Sequence, residues 1–369
     1  MRVAMVVGRS TGGIGLHAVD LATHLRAMGD EVVFVTDDLT ADRFELPGAL
    51  RWWPSRAGGL PSAVRSLWRL HGLARTSDVV HAHGHQAGLL AVLAATGTGT
   101  PVVVSQHNAV LGARGPRRVI STVLQSLVAR RSALVTGASS DLVEEAAAYG
   151  AQGARLAPVP SPRVPALVAA PLADVAARRA AADALLEAHG IPGPGALVLT
   201  ISRIAPQKNL DVLVEAAGLV AAPVAWVVVG DGDDALLSEL RRRAADDGAP
   251  VHFVGAVADP TPWLRAAEVF VLPSRWEARA LVVQEAMAAG VPVVASDTGG
   301  LHDVVEGAGV LVPVGDAPGF AAAVDEILGD GERRGRLSQQ GRERATSWDD
   351  GLATARRWRE WYSGLPGMT

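Results

Sequence analysis

Short runs of apolar residues alternate along the chain with longer segments whose apolar residues recur at helical spacing. In the first half the runs predict strands at residues 2–8, 31–36, 78–82, 101–105 and 133–136. In the second half the runs ALVLTIS, AWVVVG, VHFVGAV and VFVLPS predict further strands. Because strands that alternate with helices form parallel sheets covered on both faces, the pattern predicts an α/β protein that repeats one plan twice.

A proline-rich segment separates the two halves. Four prolines between residues 158 and 165 are expected to interrupt regular structure and to form a linker. We therefore predict domains at 1–160 and 166–347, the second opening with an alanine-rich helix over 166–190. A last helix, from about Trp348 to Tyr362, follows the second domain.

The composition is consistent with two domains and argues against several classes of function. The length of 369 residues exceeds what one core usually supports, and 49% hydrophobic residues are enough for two. A formal net charge of −4 gives no overall positive field for nucleic acid, and the lack of cysteine excludes disulfides and thiolate metal sites. No apolar run approaches the roughly 20 residues that span a bilayer, and no leader pattern is visible, so we expect a cytoplasmic protein.

The stretch LPSRWEARALVVQEAMAAGVPVVASD carries the strongest chemical signal. It predicts a strand end, a loop, a helix from about Leu281 to Ala289, a turn and a second strand. Free amides at the helix start form an anion site suited to a phosphate, and they belong to Ala280, Leu281 and Val282. Glu277 precedes the helix and Glu285 lies within it, so each could bind hydroxyl groups beside the anion. The alternative is a surface-loop glutamate and a solvated helix glutamate.

Two groups follow predicted strands of the first half, at the edge where parallel sheets bind ligands. The first strand runs into a glycine-rich turn with Gly12 and Gly13, which is either a tight turn alone or a ligand loop. The strand at 101–105 runs into Gln106-His107-Asn108, where His107 is either a ligand contact or a locally bonded residue.

Alternating histidines end the neighbouring strand. Alternation places His81 and His83 on one strand face, whereas His85 begins the next helix. Three imidazoles could bind zinc, but the sequence offers no nearby carboxylate at ligand spacing. We therefore expect no metal site at these histidines.

Two cations follow the first predicted strand of the second half. Lys208 is the only lysine in the sequence, which suggests that its position requires a compact ammonium group. Together with Arg203 it could stabilise negative charge on a ligand, and the alternative is surface charge at a helix start.

The pattern P-S-x-x-E, seven residues, a second E and then AMAAGVPVVAS resembles the signature of the retaining nucleotide-sugar glycosyltransferases of family 4. The resemblance implies the α/β GT-B fold, in which two Rossmann-like domains with parallel sheets face each other. It also implies that the C-terminal segment 348–369 returns to complete the domain 1–160. A nucleoside-diphosphate sugar would be the donor substrate, with no resident cofactor and no metal.

The resemblance also implies a role for each candidate. Glu277 would lie beside the donor sugar, and Glu285 would hold the ribose hydroxyls. Arg203 and Lys208 match an R-x4-K pair that binds the diphosphate together with the amides of residues 278–282. The remaining matches are Gly12 and Gly13 over the diphosphate, His107 at the donor sugar and phosphate, and Val254 at the nucleobase, with Ser274 and Arg275 nearby.

One position departs from the family pattern. The family usually has glycine where this chain has Ala280, preceded here by Arg279. A Cβ atom at this position limits how closely the backbone can approach a ligand, although it leaves the amides in place.

The expected function is retaining transfer of a hexosyl group from a UDP- or GDP-sugar to a sugar, lipid-linked or small-molecule acceptor. One alternative is a non-catalytic nucleotide-sugar-binding protein, and another is a different GT-B enzyme such as a nucleotide-sugar epimerase. The full set of donor residues favours an enzyme.

The segment from Gly115 to Arg131 predicts an amphipathic helix with arginines at both ends, including Arg114. Such a helix could contact an anionic membrane, at the inner face, or a lipid-linked acceptor. The pattern favours the alternative of an ordinary covering helix with solvated ends.

Overall fold

The computed structural model describes residues 1–10, 12–51, 59–109, 115–192 and 195–367, with the backbone alone for 59–62, 116 and 117. Thr11 of the glycine-rich turn and Arg114 lie outside the described residues. Contacts divide the chain into one unit of Met1–Pro160 with Asp349–Thr369 and a second unit of Ser161–Trp348. The second unit thus includes residues 161–165, which the sequence assigned to a linker, and Trp348.

The first unit alternates strands and helices. Its strands are β1 (Arg2–Val7), β2 (Glu31–Thr36), β3 (Leu50–Arg51), β4 (Val79–His83), β5 (Val102–Gln106), β6 (Leu134–Gly137) and β7 (Ala154–Leu156). Its helices before the second unit are α1 (Gly13–Ala27), α2 (Asp38–Arg43), α3 (Gly59–Ala74), α4 (His85–Ala95), α5 (Pro116–Arg131) and α6 (Ser140–Ala148). Among the described residues the strands form one parallel sheet in the order β3-β2-β1-β4-β5-β6-β7.

The second unit repeats this plan. Its helices are α7 (Val164–Ala169), α8 (Val175–Ala188), α9 (Leu210–Leu219), α10 (Asp234–Asp246), α11 (Thr261–Ala266), α12 (Leu281–Ala288), α13 (Gly300–Val305), α14 (Ala317–Gly329) and α15 (Gly331–Thr346). Its strands are β8 (Ala196–Ile201), β9 (Val224–Val229), β10 (Val251–Gly255), β11 (Val269–Leu272), β12 (Val293–Ser296) and β13 (Val310–Val312). Over the described residues they form a parallel sheet in the order β10-β9-β8-β11-β12-β13.

Burial on both faces explains why the central strands are largely apolar. In β1 the residues Val3, Met5 and Val7 enter one core, whereas Ala4 and Val6 enter another on the opposite face. In the second unit β8 divides its side chains between two cores in the same way. The α/β class with parallel sheets is therefore confirmed.

The strand order indicates which edge of each sheet is expected to bind a ligand. In the first sheet the order reverses between β1 and β4, and in the second between β8 and β11. Parallel sheets bind ligands in the crevice outside the carboxyl ends of strands at such a reversal. The loops after β1, β4, β8 and β11 are therefore the parts of the fold where function is expected.

The last helix, α16 (Gly351–Ser363), belongs to the first unit and packs against α1. Its Trp358 and Tyr362 are buried in the core that also contains Leu21 and Leu25. The predicted start at Trp348 was wrong because the side chain of Asp350 accepts a hydrogen bond from the Ala353 amide and caps the helix there.

The predicted single helix over 166–190 was also wrong. The structure has α7 and α8 separated at residues 170–174, and the Asp174 side chain caps α8 by accepting from the Ala177 amide. Pro165, expected to interrupt regular structure, lies in the first turn of α7, where its missing N–H costs no helical hydrogen bond. In the described part of the chain no helix is long and apolar enough to cross a membrane.

Candidate active site

Helix α12 begins where the sequence predicted the anion site. Ala280 precedes it in an extended conformation, and the first intrahelical bonds run from the amides of Val283 and Gln284 to the Ala280 carbonyl. The amides of Leu281 and Val282 therefore come before the helical ladder and point toward its N-terminal end. The first turn contains no acidic side chain, so the positive end of the helix dipole is not neutralised from within α12.

Glu277, Lys208 and Ser274 meet beside this helix start, and we call these three residues the acid–lysine cluster. Lys208 Nζ lies 2.5 Å from Glu277 Oε1, and Ser274 Oγ donates to the same oxygen at 2.8 Å. The Lys208 and Glu277 side chains retain only 13% and 11% exposure. Among the described residues, both bonds to the Glu277 carboxylate use Oε1, so Oε2 remains for a substrate hydroxyl.

Hydrogen bonds between two loops hold the cluster in place. The Gln207 side chain donates to the Trp276 carbonyl at 2.7 Å, and the Arg275 amide donates to the Gln207 carbonyl at 2.9 Å. Arg275 Nε also donates to Asn209 Oδ1 at 2.9 Å. These bonds connect the loop after β8, which carries Lys208, to the loop after β11, which carries Glu277. Arg275 therefore has an observed structural contact in addition to its predicted place near the nucleobase.

Glycines let neighbouring backbone approach both loops. A Cβ atom on Gly232, at φ +159°, would collide with the Ile204 carbonyl, and one on Gly230 would collide with the Ser202 carbonyl. A Cβ atom on Gly299, at φ +48°, would collide with the Glu277 carbonyl. The glycines after β9 and before α13 therefore permit the close packing that supports Arg203, Lys208 and Glu277.

Arg203 lies in the same loop as Lys208, with its side chain exposed. The Ile204 amide donates to the Asp231 carbonyl at 2.8 Å, which fixes the backbone directly after Arg203. Its guanidinium is therefore carried by an anchored loop and open to solvent. Val254 lies in the edge strand β10, two strands away from β8, and lines an open cavity of about 490 Å³ with His189 and Arg241. No described contact joins Val254 to the acid–lysine cluster.

Glu285 is not the solvated helix residue of the alternative interpretation. It is 2% exposed, and its Oε1 accepts from Ser161 Oγ at 2.6 Å and from Arg163 Nη1 at 3.3 Å. Burial raises the pKa of the Glu285 carboxyl, whereas the Ser161 and Arg163 contacts lower it. Within the described residues its other oxygen, Oε2, is buried without a hydrogen-bond partner, so a ligand hydroxyl could bind there.

The departure at Ala280 leaves the helix start intact. Ala280 is 6% exposed and its side chain is part of the apolar core beneath α12. The Arg279 guanidinium lies 5.5 Å from the centre of the Trp348 ring, and burial lowers the pKa of Arg279 to about 10. The sequence alone gave no role for this arginine.

In the first unit the glycine loop and His107 lie at the carboxyl edge of the sheet. Gly12 caps α1, and the Gly15 amide donates to Ser10 Oγ at 2.9 Å. Gly13 begins α1 and is exposed, so its amide lies at the helix N-terminus. His107 follows β5 and is buried except for 7% of its surface.

His107 is one of four buried histidines that we call the histidine cluster, with His17, His81 and His83. His83 Nδ1 lies 3.1 Å from His107 Nε2, and the two ring planes are nearly parallel, with centroids 5.3 Å apart. Burial lowers the pKa of His17 to about 4 and that of His107 to about 3, and it holds the pKa values of His81 and His83 well below the ordinary value. The cluster is therefore uncharged at neutral pH.

The three alternating histidines lie where their spacing predicts. His81 and His83 lie in β4 and both are buried, and His85 begins α4. His85 Nε2 donates to the Asn108 carbonyl at 2.7 Å. Across the described ranges, no group of three or more His, Asp or Glu side chains is arranged to hold a metal ion.

Comparison with known proteins identifies the family. Residues 12–162 match the family description "Glycosyl transferase 4-like domain", and residues 195–330 match "Glycosyl transferases group 1". The chain is 30% identical to the D-inositol 3-phosphate glycosyltransferase of Jonesia denitrificans, with 92% of this chain and 88% of that protein covered. The chain belongs to the family 4 glycosyltransferases.

Other relatives of this glycosyltransferase agree. It is 30% identical to the phosphatidyl-myo-inositol mannosyltransferase of Mycolicibacterium smegmatis, over 96% of this chain and 92% of that one. Among solved structures, Anabaena HepE in complex with UDP-glucose is 20% identical, with a TM-score of 0.82 over 99% of this chain and 100% of that chain. The structural likeness confirms the predicted GT-B fold class. The roles of individual residues in this glycosyltransferase stay predictions.

Proposed function

We propose that this glycosyltransferase transfers a hexosyl group from a UDP- or GDP-sugar to an acceptor hydroxyl with retention of configuration and without a metal ion. The observation that carries the proposal is the acid–lysine cluster at the start of α12. There a partly buried ammonium and a carboxylate with a remaining oxygen lie just before a helix start whose first amides are outside the helical ladder. A sugar hydroxyl and a diphosphate are the two ligand groups that match this arrangement.

The proposed chemistry depends on stabilising the leaving group. The bond between the anomeric carbon and the diphosphate oxygen breaks, and negative charge develops on the nucleoside diphosphate. Lys208, Arg203 and the α12 amides would stabilise that charge, because fixed donors and cations need no reorganisation during the reaction.

Retention follows from attack on the same face. The acceptor oxygen would form the new bond to the anomeric carbon while its proton passes to the departing phosphate oxygen. Glu277 would orient the sugar through Oε2, while Lys208 and Ser274 hold its Oε1 in place. Glu285 would bind the ribose through Oε2, the oxygen without a described partner.

The experiment is a panel of radiolabelled UDP- and GDP-sugars, tested for binding and for slow hydrolysis without acceptor. Inositol phosphate and phosphatidylinositol are the acceptors to add first, because relatives are named for an inositol phosphate and a phosphatidylinositol. We expect one donor to be consumed and the anomeric configuration to be retained by NMR. An inverted product would reject the mechanism, binding without turnover would favour a binding protein, and isomerised donor would favour an epimerase.

We expect EDTA to leave the transfer rate unchanged. Arg203 and Lys208 would supply the positive charge that a divalent ion supplies in metal-dependent enzymes. The measurement compares rates in EDTA with rates after magnesium is added back. Complete loss in EDTA that magnesium restores would contradict this part of the proposal.

Helix α5 supports peripheral contact with an anionic membrane that presents a lipid-linked acceptor. Val119, Ile120 and Val123 are 64%, 60% and 61% exposed, whereas Val128 of the same helix packs in the core as expected of a covering helix. The helix contains no acidic residue and ends in Arg130 and Arg131. Exposed aliphatic side chains beside arginines match the hydrocarbon boundary and the negative headgroups of an anionic bilayer.

We expect the enzyme to sediment with phosphatidylglycerol vesicles and to bind phosphatidylcholine vesicles at least about tenfold more weakly. The variant Ile120→Ser/Val123→Ser should lose most of the binding, because buried apolar area drives insertion. Leu219→Ser, which changes a residue that is 52% exposed in the second unit, is the matched control. Equal binding of the two vesicle types, or an unaffected double variant, would reject the membrane contact.

A further inference from the structure

The hydrogen bond between His83 and His107 can form with the proton on either of the two nitrogens. Both rings are buried, at 2% and 7% exposure, and the pair consists of one donor and one acceptor nitrogen. A positive charge on either ring is opposed by burial and by the neighbouring histidines. Each ring is therefore neutral and carries a single proton, and the question is which nitrogen holds it.

The surroundings of His83 Nε2 distinguish donation by His83 from donation by His107. Among the described residues this nitrogen is buried and has no hydrogen-bond partner. If His107 donated to His83 Nδ1, the neutral His83 ring would carry its proton on Nε2, which would be a buried donor without an acceptor. If His83 Nδ1 donates instead, Nε2 is only a buried lone pair. Buried N–H groups without a partner are rarer than acceptors in that condition, so the second arrangement is favoured.

Among the described residues, the neighbouring histidines offer His83 no other hydrogen-bond partner. His81 Nδ1 bonds to the Tyr362 hydroxyl at 2.7 Å, and His81 Nε2 bonds to Ser105 Oγ at 2.8 Å. Both nitrogens of His81 are thereby used, although its ring packs 4.2 Å from the His83 ring. His17 approaches His83 and His107 edge-on, with centroids 5.8 Å and 5.6 Å away.

We propose that His83 is a positioning residue that donates from Nδ1 to His107 Nε2 and thereby fixes His107 as the Nδ1–H tautomer. His107 then presents an N–H donor at the carboxyl edge of the first unit without carrying a charge. Its ligand would be an oxygen that accepts hydrogen bonds, such as a sugar hydroxyl or a phosphate oxygen of the donor. This use of the proton rests on the proposed function, whereas the tautomer itself does not.

The tautomer can be measured directly in the ligand-free enzyme. Proteins with 15N-labelled histidine give long-range 1H–15N spectra that distinguish protonated from bare ring nitrogens, and His107→Gln assigns the signals. At neutral pH we expect a protonated Nδ1 and a bare Nε2 on His107. A protonated Nε2 on His107 in the wild-type protein would overturn the proposal whatever the enzyme transfers.

Three variants separate positioning from packing. His83→Phe keeps a ring but removes the donor, so His107 should become a mixture of tautomers. His83→Asn places an amide N–H near the position of Nδ1 and should keep the wild-type pattern. Tyr362→Phe removes the bond to His81 only and should leave the His107 signals unchanged. An unchanged His107 in His83→Phe would also overturn the proposal.

Kinetics then test the consequence for transfer. With the donor and acceptor found by the panel, His83→Phe should lower kcat by about tenfold or more, as loss of an orienting partner does for other functional histidines. Donor KM should change by less than about twofold, and His83→Asn should recover most of kcat. A correct tautomer with unchanged kcat would refute the use of the proton in catalysis while leaving the structural assignment intact.

Discussion

Replacing Lys208 with methionine is expected to lower kcat/KM for transfer by about two to three orders of magnitude. Loss of one fixed group that stabilises developing negative charge has an effect of this size in other enzymes. Lys208 is the partly buried cation of the acid–lysine cluster, 13% exposed and 2.5 Å from Glu277, so solvent weakens its charge less than that of a surface lysine. Lys208→Arg should not restore the rate, because a planar guanidinium cannot occupy the site of a compact ammonium.

The same variant also leaves Glu277 as a buried carboxylate without its cation. Removing one partner of a fully buried pair can destabilise a protein by about 3–5 kcal/mol. The Lys208–Glu277 pair is only partly buried, so we expect a smaller loss, and stability must be measured beside activity. The double variant Lys208→Met/Glu277→Gln removes both charges and should recover the melting temperature without recovering the rate. Arg336→Met, at a residue that is 60% exposed, is the control for loss of a surface cation. A Lys208→Met enzyme with more than about a tenth of the wild-type rate would contradict the assignment.

The sequence predicted the parts of this site that depend on local order along the chain. The start of α12, the loop position of Glu277 and the placing of His81 and His83 in one strand follow from short-range periodicity and from strand ends. The family resemblance then predicted that Lys208 and Glu277 contact the same donor substrate. The structure places the two side chains in contact.

Contacts between distant segments could not be predicted in this way. Ser161 reaches Glu285 across 124 residues, and Ser161 lies in a segment that looked like a linker. Arg279 packs on Trp348, which the sequence assigned to the last helix. In each case the partner is fixed by tertiary packing, and no local pattern distinguishes a serine or tryptophan that will be a partner from one that will not.

Glutamine substitutions at the two glutamates should separate orientation of the sugar from binding of the ribose. Glu277→Gln keeps the shape of the side chain but removes the charge opposite Lys208. We expect kcat to fall by about two to three orders of magnitude with little change in donor KM, because the proposed contact to the sugar matters most in the transition state. Undiminished turnover by Glu277→Gln would reject its role.

Glu285→Gln should have the opposite pattern. Its Oε1 can still accept from Ser161 and Arg163, but an amide NH₂ replaces Oε2 and cannot accept from a ribose hydroxyl. Loss of a hydrogen bond to a charged group costs about 1.5–3 kcal/mol, so donor binding should weaken about tenfold to a hundredfold. The value of kcat at saturating donor should change little, because ribose contacts are equal in the ground and transition states.

Both variants need the same control and the same two readouts. Glu332→Gln makes an identical change at a side chain that is 91% exposed and should alter neither constant. Donor affinity is measured by calorimetry with the nucleoside diphosphate alone, and kcat is measured at saturating nucleotide sugar. Since the free nucleotide carries the ribose but no sugar, Glu285→Gln should weaken its binding and Glu277→Gln should not. Weaker nucleotide binding in Glu277→Gln with normal binding in Glu285→Gln would exchange the two roles.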